Sequence, residues 1–257
     1  MSAISSSVAA SRRAHAPLPP LADGLRIYAV GDIHGRFDLL EELVSDIRRD
    51  LKRSRPARTI EIFLGDYVDR GPQSREVVHW MIEAPPVADE RICLLGNHEE
   101  ILLQALDDTS AMANWLFNGG GETLLSYGVQ ARGLGGESGL IELQQGFRAA
   151  LPAAHLEFIA SLRRKVAITP YLFVHAGIRP GLAIDDQDPE DLVWIREPFL
   201  HSDADFGCIV VHGHTPAMHP EVRRNRINID TGAVFTGCLT CVVLEGTELR
   251  FLQAVSR

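Results

Sequence analysis

The chain contains 257 residues, of which 25 are Lys or Arg and 34 are Asp or Glu, so its formal net charge is −9. An acidic chain repels polyanions, which argues against a general nucleic-acid-binding protein. Its apolar runs fall far short of the roughly 20 residues that a membrane-spanning helix needs, so we expect no membrane insertion. Four cysteines in a chain of this length are too few for a disulfide framework, and reduced thiols suit a cytoplasmic location.

Residues 1–24 differ in composition from the rest of the chain. They are rich in Ser, Ala and Pro, and their first acidic residue is Asp23. Such a segment buries too little apolar surface to fold, so we expect a disordered tail, although its low acid content also fits an organelle transit peptide in part. Residues 25–257 are predicted to form one domain.

Strands and helices alternate from Leu25 onward. The apolar run Leu25–Val30 predicts a strand, and the helical spacing of Leu39, Leu43 and Ile47 predicts the helix that follows it. Two further pairs follow, with strands predicted at 59–64 and 91–95, a helix around 77–82 and a helix at 99–106. This repeated alternation is typical of an α/β fold built from βαβ units.

The middle and the end of the chain follow a different pattern. Residues 107–169 are predicted to be mostly helical, with glycine-rich breaks at 119–121 and 133–139, which suggests an insertion or cap beside the sheet. Strands are predicted again at 171–174, 208–211, 226–229, 239–244 and 248–252. The last three have the spacing of hairpins, so we expect the second half to add an antiparallel or mixed sheet.

Asp, Asn or His stands next to glycine after five of the predicted strands. The five motifs are Gly31-Asp32-Ile33-His34-Gly35, Gly65-Asp66-Tyr67-Val68-Asp69-Arg70-Gly71, Gly96-Asn97-His98-Glu99, His175-Ala176-Gly177 and Gly213-His214-Thr215. Carboxylate oxygens and imidazole nitrogens suit borderline divalent ions such as Mn, Fe or Zn. Because loops at the carboxyl ends of the strands gather at one sheet edge, these side chains are expected to meet there. One Gly-Asp pair would indicate only a turn, whereas five motifs supply ligands for two ions and a bridging carboxylate.

Together, the five motifs resemble the phosphoprotein phosphatase branch of the calcineurin-like metallophosphoesterases, over residues 25–252. The stretches 115–120, 126–128 and 192–197 are similar to the compact bacterial serine/threonine phosphatases of that branch. The resemblance implies an α/β fold with a central mixed β-sandwich, flanking helices and a mostly helical middle insertion. It also implies that the protein binds two divalent ions, with Mn preferred to Fe or Zn as their identity. The implied substrate is a phosphorylated protein or peptide.

The resemblance further implies roles for individual residues. The implied metal ligands, of which Asp66 would bridge the two ions, are Asp32 and His34 for the first ion and Asn97, His175 and His214 for the second. The implied phosphate contacts are Arg70, Arg196 and Asn97. His98 would protonate the leaving alkoxide, and Asp69 would pair with His98 and orient it.

The chemistry of these residue types agrees with the implied roles. Two ions about 3.5–4 Å apart can clamp an in-line displacement at phosphorus and supply a hydroxide nucleophile at neutral pH. An alkoxide is a poor leaving group until it receives a proton, so the reaction needs a general acid such as His98 to supply one. Asp32 and Asp66 bring about −2 and two divalent ions about +4, so the acidic chain would gain a positive centre from metal.

Several alternatives stay open at the level of the sequence. Symmetrical dinucleoside tetraphosphate hydrolases share the sheet and most of the metal motifs, although the first two motifs here fit protein phosphatases better. A binding protein that has lost its chemistry is a third reading, opposed by the competent residue at every assigned position. His212 could be a metal ligand or could support a neighbouring ligand through a hydrogen bond. Asp230 could belong to the site or could simply form a turn. Glu99 is expected to favour the start of its helix.

Overall fold

The computed structural model describes residues 18–130 and 136–256. The strands in chain order are β1 (Leu25–Val30), β2 (Arg58–Phe63), β3 (Glu90–Cys93), β4 (Lys165–Ile168), β5 (Tyr171–Val174), β6 (Ile209–His212), β7 (Glu221–Val222), β8 (Arg226–Asn228), β9 (Cys238–Glu245) and β10 (Glu248–Val255). The helices are α1 (Phe37–Arg53), α2 (Ser74–Glu83), α3 (Asn97–Asp107), α4 (Thr109–Trp115), a π-helical turn (Leu116–Gly120), α5 (Gly121–Ser126), α6 (Gly136–Ala150), α7 (Ala153–Ala160), a 3₁₀ turn (Ile184–Asp186), α8 (Asp191–Trp194) and α9 (Ala233–Thr236).

The strands form two five-stranded mixed sheets. The first has the order β10-β9-β1-β2-β3, in which β1, β2 and β3 are parallel to one another and β9 is antiparallel to both of its neighbours, β1 and β10. The second has the order β4-β5-β6-β8-β7, in which β5, β6 and β8 are parallel. The predicted α/β architecture, with mixed sheets flanked by helices, is therefore confirmed.

Alternation along β1 explains how the layers pack. Ile27 and Ala29 belong to the core between the two sheets, whereas Tyr28 and Val30 belong to the core between the first sheet and the helices. Both faces of this strand are buried, which is why it reads as an unbroken apolar run. A third core covers the outer face of the second sheet and includes Leu172 and Phe199.

One expectation about the second half was wrong in detail, and several short elements were not predicted. Strands β8 and β9 were predicted to form a hairpin, but they lie in different sheets, and the antiparallel pair is β9 with β10. The single helical turn α9 lies between β8 and β9, and four residues carry too little periodicity to predict a helix. Strands β4 and β7 were not predicted, because one is only half-buried and the other has two residues.

The segment ahead of β1 packs against the domain where the structure describes it. Leu21 is buried, and its backbone N–H donates to the Gly246 carbonyl at 2.9 Å. The Tyr171 hydroxyl donates to the Pro19 carbonyl at 3.3 Å. Residues 18–24 of the expected tail therefore contact the domain, and residues 1–17 lie outside the described residues.

The middle of the chain is helical from α4 to α7, as predicted. Its first glycine-rich break, at 119–121, coincides with the π-helical turn, where Gly119 has φ 104°. Part of the second break, at 133–139, lies outside the described residues. No helix in the described part of the chain has the length and apolar content that crossing a bilayer requires.

Candidate active site

Apart from Arg196, the predicted site residues lie in the segments that directly follow β1, β2, β3, β5 and β6, and two of them, Asn97 and His98, begin α3. These strands run parallel within their own sheets, so the loops meet where the carboxyl ends of the two sheets come together. The buried side chains brought there are Asp32, His34, Asp66, Asp69, Asn97, His98, His175 and His214. Folding therefore places in one region the residues that the five motifs put forward.

Backbone strain is concentrated in the same loops. The non-glycine residues with positive φ in the described ranges are His34 (47°), Asp66 (54°), Asp69 (71°), Arg70 (66°) and His214 (65°). This conformation is uncommon for side-chain-bearing residues, and its clustering is typical of a functional site. Close backbone approach also demands glycine here, since a Cβ on Gly71 would lie 2.0 Å from the His34 carbonyl oxygen.

Asp66 stands at the centre of two groups of potential metal ligands. One group is His34, Asp66 and His98, the other is Asp66, His175 and His214, and within each the ligand atoms lie within 4.8 Å of one another. Asp66 Oδ2 is 3.5 Å from His34 Nε2, and Asp66 Oδ1 is 3.4 Å from His175 Nε2. The carboxylate thus presents one oxygen to each group, the arrangement that a bridging ligand requires.

Backbone carbonyls and one amide orient the imidazoles. His34 Nδ1 donates to the Val68 carbonyl at 2.9 Å, and His175 Nδ1 donates to the Leu64 carbonyl at 3.0 Å. Each of these rings therefore turns its Nε2 toward the site, as metal-ligating histidines do when a carbonyl holds the other nitrogen. Asn97 Oδ1 lies 2.9 Å from His175 Nε2 and 2.8 Å from His214 Nδ1.

Asp32 lies beside the two groups rather than within either one. Its Oδ2 accepts the His214 backbone N–H at 3.0 Å, whereas its Oδ1 is buried without a partner. Burial, reinforced by Asp230 and Asp66, raises the pKa of Asp32 well above its usual range. An orphaned carboxylate oxygen among buried carboxylates is a donor set that a cation would satisfy.

The charges in this region also suit metal binding. Burial lowers the pKa of His34 to about 3 and also lowers the pKa of His175, so both rings are held neutral, the form that ligates metals. Burial alone would raise the pKa of Asp66, but His175, His98 and His34 outweigh it and hold that pKa below its ordinary value. The central carboxylate is therefore ionised.

His98 and Asp69 form a buried pair. His98 Nδ1 lies 2.7 Å from Asp69 Oδ2, while His98 Nε2 is buried without a partner and 3.9 Å from Asp66 Oδ2. Burial lowers the pKa of His98, but Asp66 and Asp69 outweigh it and raise that pKa above its usual value. The pair can therefore keep a proton on His98 and direct Nε2 into the site.

The two predicted phosphate arginines differ in placement. Arg70 is half-buried, donates from Nη1 to His34 Nε2 at 2.8 Å and lies 5.9 Å from the centre of the Phe235 ring. Arg196 is exposed just after α8. Burial and His175 lower the pKa of His214, and the charge of Arg196 lowers it further.

The structure also places the residues whose roles the sequence left open. His212 is buried outside both ligand groups, with Nε2 3.2 Å from Arg226 Nη1 and Nδ1 3.1 Å from the Gly213 carbonyl. It therefore supports the turn that carries His214. Asp230 lies close to Asp32 and also accepts the Gly232 N–H at 2.8 Å, so it forms a turn at the edge of the site.

Three further residues surround the site: sequence reasoning gave Trp115 and Thr123 no individual role and placed Glu99 only at a helix start. Trp115 and Thr123 both contact the carboxylate of Asp69, although they lie 46 and 54 positions away along the chain. Glu99 accepts four backbone N–H groups from two loops. Glu99 carried a local sequence signal, because an acid three positions after the N-cap residue, here Gly96, is typical of a capping box.

Comparison with known proteins gives consistent matches. Residues 25–231 match the family model of the calcineurin-like phosphoesterases. The chain is 28% identical over 247 residues to bis(5'-nucleosyl)-tetraphosphatase PrpE (asymmetrical) of Halalkalibacterium halodurans, covering 89% of this chain and 93% of that protein. It is 28% identical over 225 residues to serine/threonine-protein phosphatase 1 of Salmonella typhimurium, covering 83% and 89%. A solved structure of a putative diadenosine tetraphosphatase matches with a TM-score of 0.60 at 19% identity, covering 95% of this chain and 100% of that one.

Proposed function

The chain belongs to the calcineurin-like phosphoesterase family, as its five motifs predicted, and on this premise we propose that it is a metal-dependent serine/threonine protein phosphatase. The observation that carries the proposal is the His98–Asp69 pair, with an unpartnered His98 Nε2 directed into the site. A phosphoserine or phosphothreonine releases an alkoxide, which needs a proton in the transition state. A phosphoanhydride releases a phosphate group, which is a better leaving group and needs an acid less.

The donor set fits two divalent ions. Asp32, His34 and Asp66 would hold one ion, and Asp66 with Asn97, His175 and His214 would hold the other. The orphaned Asp32 Oδ1, the ionised Asp66 and the neutral imidazoles support this assignment. Mixed nitrogen and oxygen donors suit Mn, Fe and Zn, and among these three we propose Mn. When bound, the ions would neutralise the charge on the phosphate and activate the attacking water.

The protein's own residues would bind the ester and move one proton. Arg70 and Arg196 would donate paired N–H groups to the phosphate oxygens, joined by the side-chain amide of Asn97. As the bond between phosphorus and the ester oxygen breaks, His98 Nε2 would give its proton to that oxygen. Asp69 would keep the hydrogen bond from His98 Nδ1 throughout, which holds the ring in place and stabilises its charged form.

A dinucleoside tetraphosphate is the second candidate substrate. The match to a tetraphosphatase over 89% of this chain supports it. The Phe235 ring, which is 70% exposed beside Arg70, also offers a face on which a nucleobase could stack. In that case the product would be a pair of nucleotides rather than a dephosphorylated protein.

Direct competition between the two substrate classes tests the proposal. Purified protein with Mn is assayed on a phosphoserine peptide and on diadenosine tetraphosphate. We expect kcat/KM on the peptide to exceed that on the dinucleotide by at least about tenfold, because a site built around the acid His98 accelerates loss of an alkoxide more than loss of a phosphate group. The reverse order would make the chain a nucleotide hydrolase.

Removal of the acid gives a residue-level test of the same proposal. The His98→Asn variant is expected to lose about 10²- to 10⁴-fold in turnover of the phosphoserine peptide, because the leaving oxygen then departs without a proton. His79→Asn, at an exposed histidine on α2, is the matched control and should keep wild-type turnover. Full turnover by a folded, metal-loaded His98→Asn protein would remove His98 from the mechanism.

A further inference from the structure

The carboxylate of Asp69 is held by two residues besides His98. Its Oδ1 accepts the hydroxyl hydrogen of Thr123 at 2.7 Å and lies 3.0 Å from Trp115 Nε1. Its Oδ2 lies 2.9 Å from the same indole nitrogen and 2.7 Å from His98 Nδ1. Both oxygens are therefore committed, and the carboxylate has one orientation in which all of these bonds form.

Thr123 also fixes the backbone of Asp69. The Asp69 backbone N–H donates to Thr123 Oγ1 at 2.8 Å and to Ser74 Oγ at 3.0 Å. These bonds hold Asp69 at φ 71°, a conformation that is uncommon for a residue with a side chain. A single hydroxyl group thus accepts from the main chain and donates to the side chain of the same residue.

Packing fixes the indole of Trp115 in turn. Trp115 is fully buried, its ring lies 4.9 Å from the Phe147 ring between centroids, and a Cβ on Gly120 would come within 2.6 Å of it. A buried indole N–H needs an acceptor, and Asp69 supplies it. The ring therefore has little freedom to release the carboxylate.

We propose that Trp115 and Thr123 are positioning residues that hold Asp69 so that His98 directs its Nε2 at the leaving oxygen. The inference deepens the proposed function and rests on it. Trp115 ends α4 and Thr123 lies in α5, so the helical middle of the chain forms part of the proton-donating apparatus. Its role extends beyond that of an insertion or cap beside the sheet.

The test separates the supply of a proton from general damage to the site. The variants are Trp115→Phe and Thr123→Val, with Thr123→Ser as the rescue that keeps the hydroxyl group. Turnover is compared on a phosphoserine peptide and on 2,4-dinitrophenyl phosphate, whose leaving group departs without a proton. We expect at least about a tenfold loss on the peptide, less than about a threefold loss on the aryl ester, and recovery in Thr123→Ser.

Two control variants remove the same kinds of group elsewhere. Thr59→Val deletes a buried hydroxyl that donates to Asp89 Oδ2 at 2.8 Å, outside the site. Trp80→Phe removes the indole nitrogen of a half-buried tryptophan that packs on Phe63. Both controls should keep wild-type ratios of peptide to aryl ester turnover.

A second readout does not depend on activity. The Nδ1 proton of His98 should give a low-field proton resonance in the zinc-loaded protein, identified by its loss in His98→Asn. This resonance should shift or broaden in Trp115→Phe and Thr123→Val and stay unchanged in the two controls.

The outcomes distinguish the inference from the function on which it rests. Equal losses on both substrates, or a resonance unmoved in both variants, would overturn the positioning role. Wild-type protein that hydrolyses neither ester with any divalent metal would overturn the proposed function, and the resonance alone would then decide the positioning role.

Discussion

At the scale of single residues, Glu99 shows how one side chain shapes the site without entering it. Its Oε2 accepts the backbone N–H groups of Asp66 at 2.9 Å and Gly96 at 3.1 Å. Its Oε1 accepts those of Tyr67 at 2.8 Å and Val68 at 3.2 Å. The carboxylate therefore joins the loop after β2 to the loop after β3 and holds Asp66 in its strained conformation.

The Glu99→Gln variant tests whether these hydrogen bonds between the two loops stabilise the fold. An amide replaces one carboxylate oxygen with an N–H donor, so two backbone donors lose their acceptor in a buried place. We expect the free energy of unfolding in urea to fall by about 2–4 kcal/mol. The neighbouring Glu100→Gln, which touches Trp194 and Arg164 at a half-buried position, should lose about 1 kcal/mol or less. Equal losses in the two variants would contradict the role given to Glu99.

Which site residues can be predicted from the sequence depends on whether they stand in a motif with recognisable chemistry. Asp66 and His98 stand in motifs whose residue types already signal metal and proton chemistry. Trp115 and Thr123 stand in no such motif, and their partner Asp69 is distant along the chain. Their contribution comes from the direction of one N–H and one O–H, which only the packed structure sets.

At the scale of secondary-structure elements, the π-helical turn places Trp115. Gly120 lies against the indole, where an added Cβ would be 2.6 Å from ring atoms, whereas Gly121 has nothing within 4 Å of its Cβ position. These two adjacent glycines therefore offer a matched pair, one close to the ring and the other in open space.

The Gly120→Ala variant should displace the indole from Asp69. We expect a loss of about 1–3 kcal/mol in stability from overpacking, together with reduced turnover of a phosphoserine peptide. Gly121→Ala should instead be neutral or up to about 1 kcal/mol more stable, because alanine favours helix, and it should keep full turnover. Urea unfolding and phosphate release measure both effects. A Gly120→Ala protein as stable and active as Gly121→Ala would show that the turn tolerates movement of Trp115.

An ion-pair network ties helix α1 to the first sheet. Asp50 Oδ2 accepts a hydrogen bond from the Tyr28 hydroxyl at 2.6 Å and lies 3.2 Å from Arg26 Nη1. Arg250 of β10 forms an ion pair with the same oxygen. Burial raises the pKa of Asp50, but the bonds from Arg250 and Tyr28 outweigh it and hold that pKa below its ordinary value. Folding therefore favours the ionised form of this carboxyl.

This network predicts a pH dependence of stability. Because the folded-state pKa of Asp50 is lowered, its stabilisation is present above the unfolded-state pKa, about 3.9, and is lost as the pH falls through the folded-state value. Asp50→Asn should cost about 1 kcal/mol of unfolding free energy at pH 7, and the difference from wild type should shrink below about pH 4. Glu42→Gln, on an exposed position of α1, should show no such trend. A wild-type advantage that stays constant down to pH 3 would contradict the account.

The hydrophobic pattern of the sequence predicts some strands well and others poorly. The bounds of β1 and β5 follow directly from apolar runs that are buried on both faces. Strand β4 has only partly buried and exposed positions, so its sequence lacks the same signal. Which strands pair is decided by contacts between distant segments, and the spacing of β8 and β9 could not show that they join different sheets.

At the scale of the whole molecule, the candidate site joins the two sheets. Asp66 follows β2 of the first sheet, and His175 and His214 follow β5 and β6 of the second. Metal held by these residues would cross-link the sandwich at one edge. It would also give a chain with a formal net charge of −9 a local positive centre for its anionic substrate.

Metal removal should therefore affect stability as well as activity. Mn at about 100 times its Kd should stabilise the chelator-treated protein by about 2.7 kcal/mol, because metal binds the folded state alone. Thermal unfolding with and without Mn measures this. Asp66→Asn should lose most of the increase in Tm, since an amide nitrogen replaces one of the two carboxylate oxygens that we propose as metal ligands. An equal increase in the variant would place the metal elsewhere.

The most direct measurement is phosphate release from a phosphoserine peptide by the chelator-treated protein, before and after the addition of Mn. We predict no turnover before addition, restored turnover after it, and a loss of about 10²- to 10⁴-fold in His98→Asn under the same conditions. A metal-loaded wild-type protein that releases no phosphate with Mn, Fe, Zn or Mg would contradict this prediction.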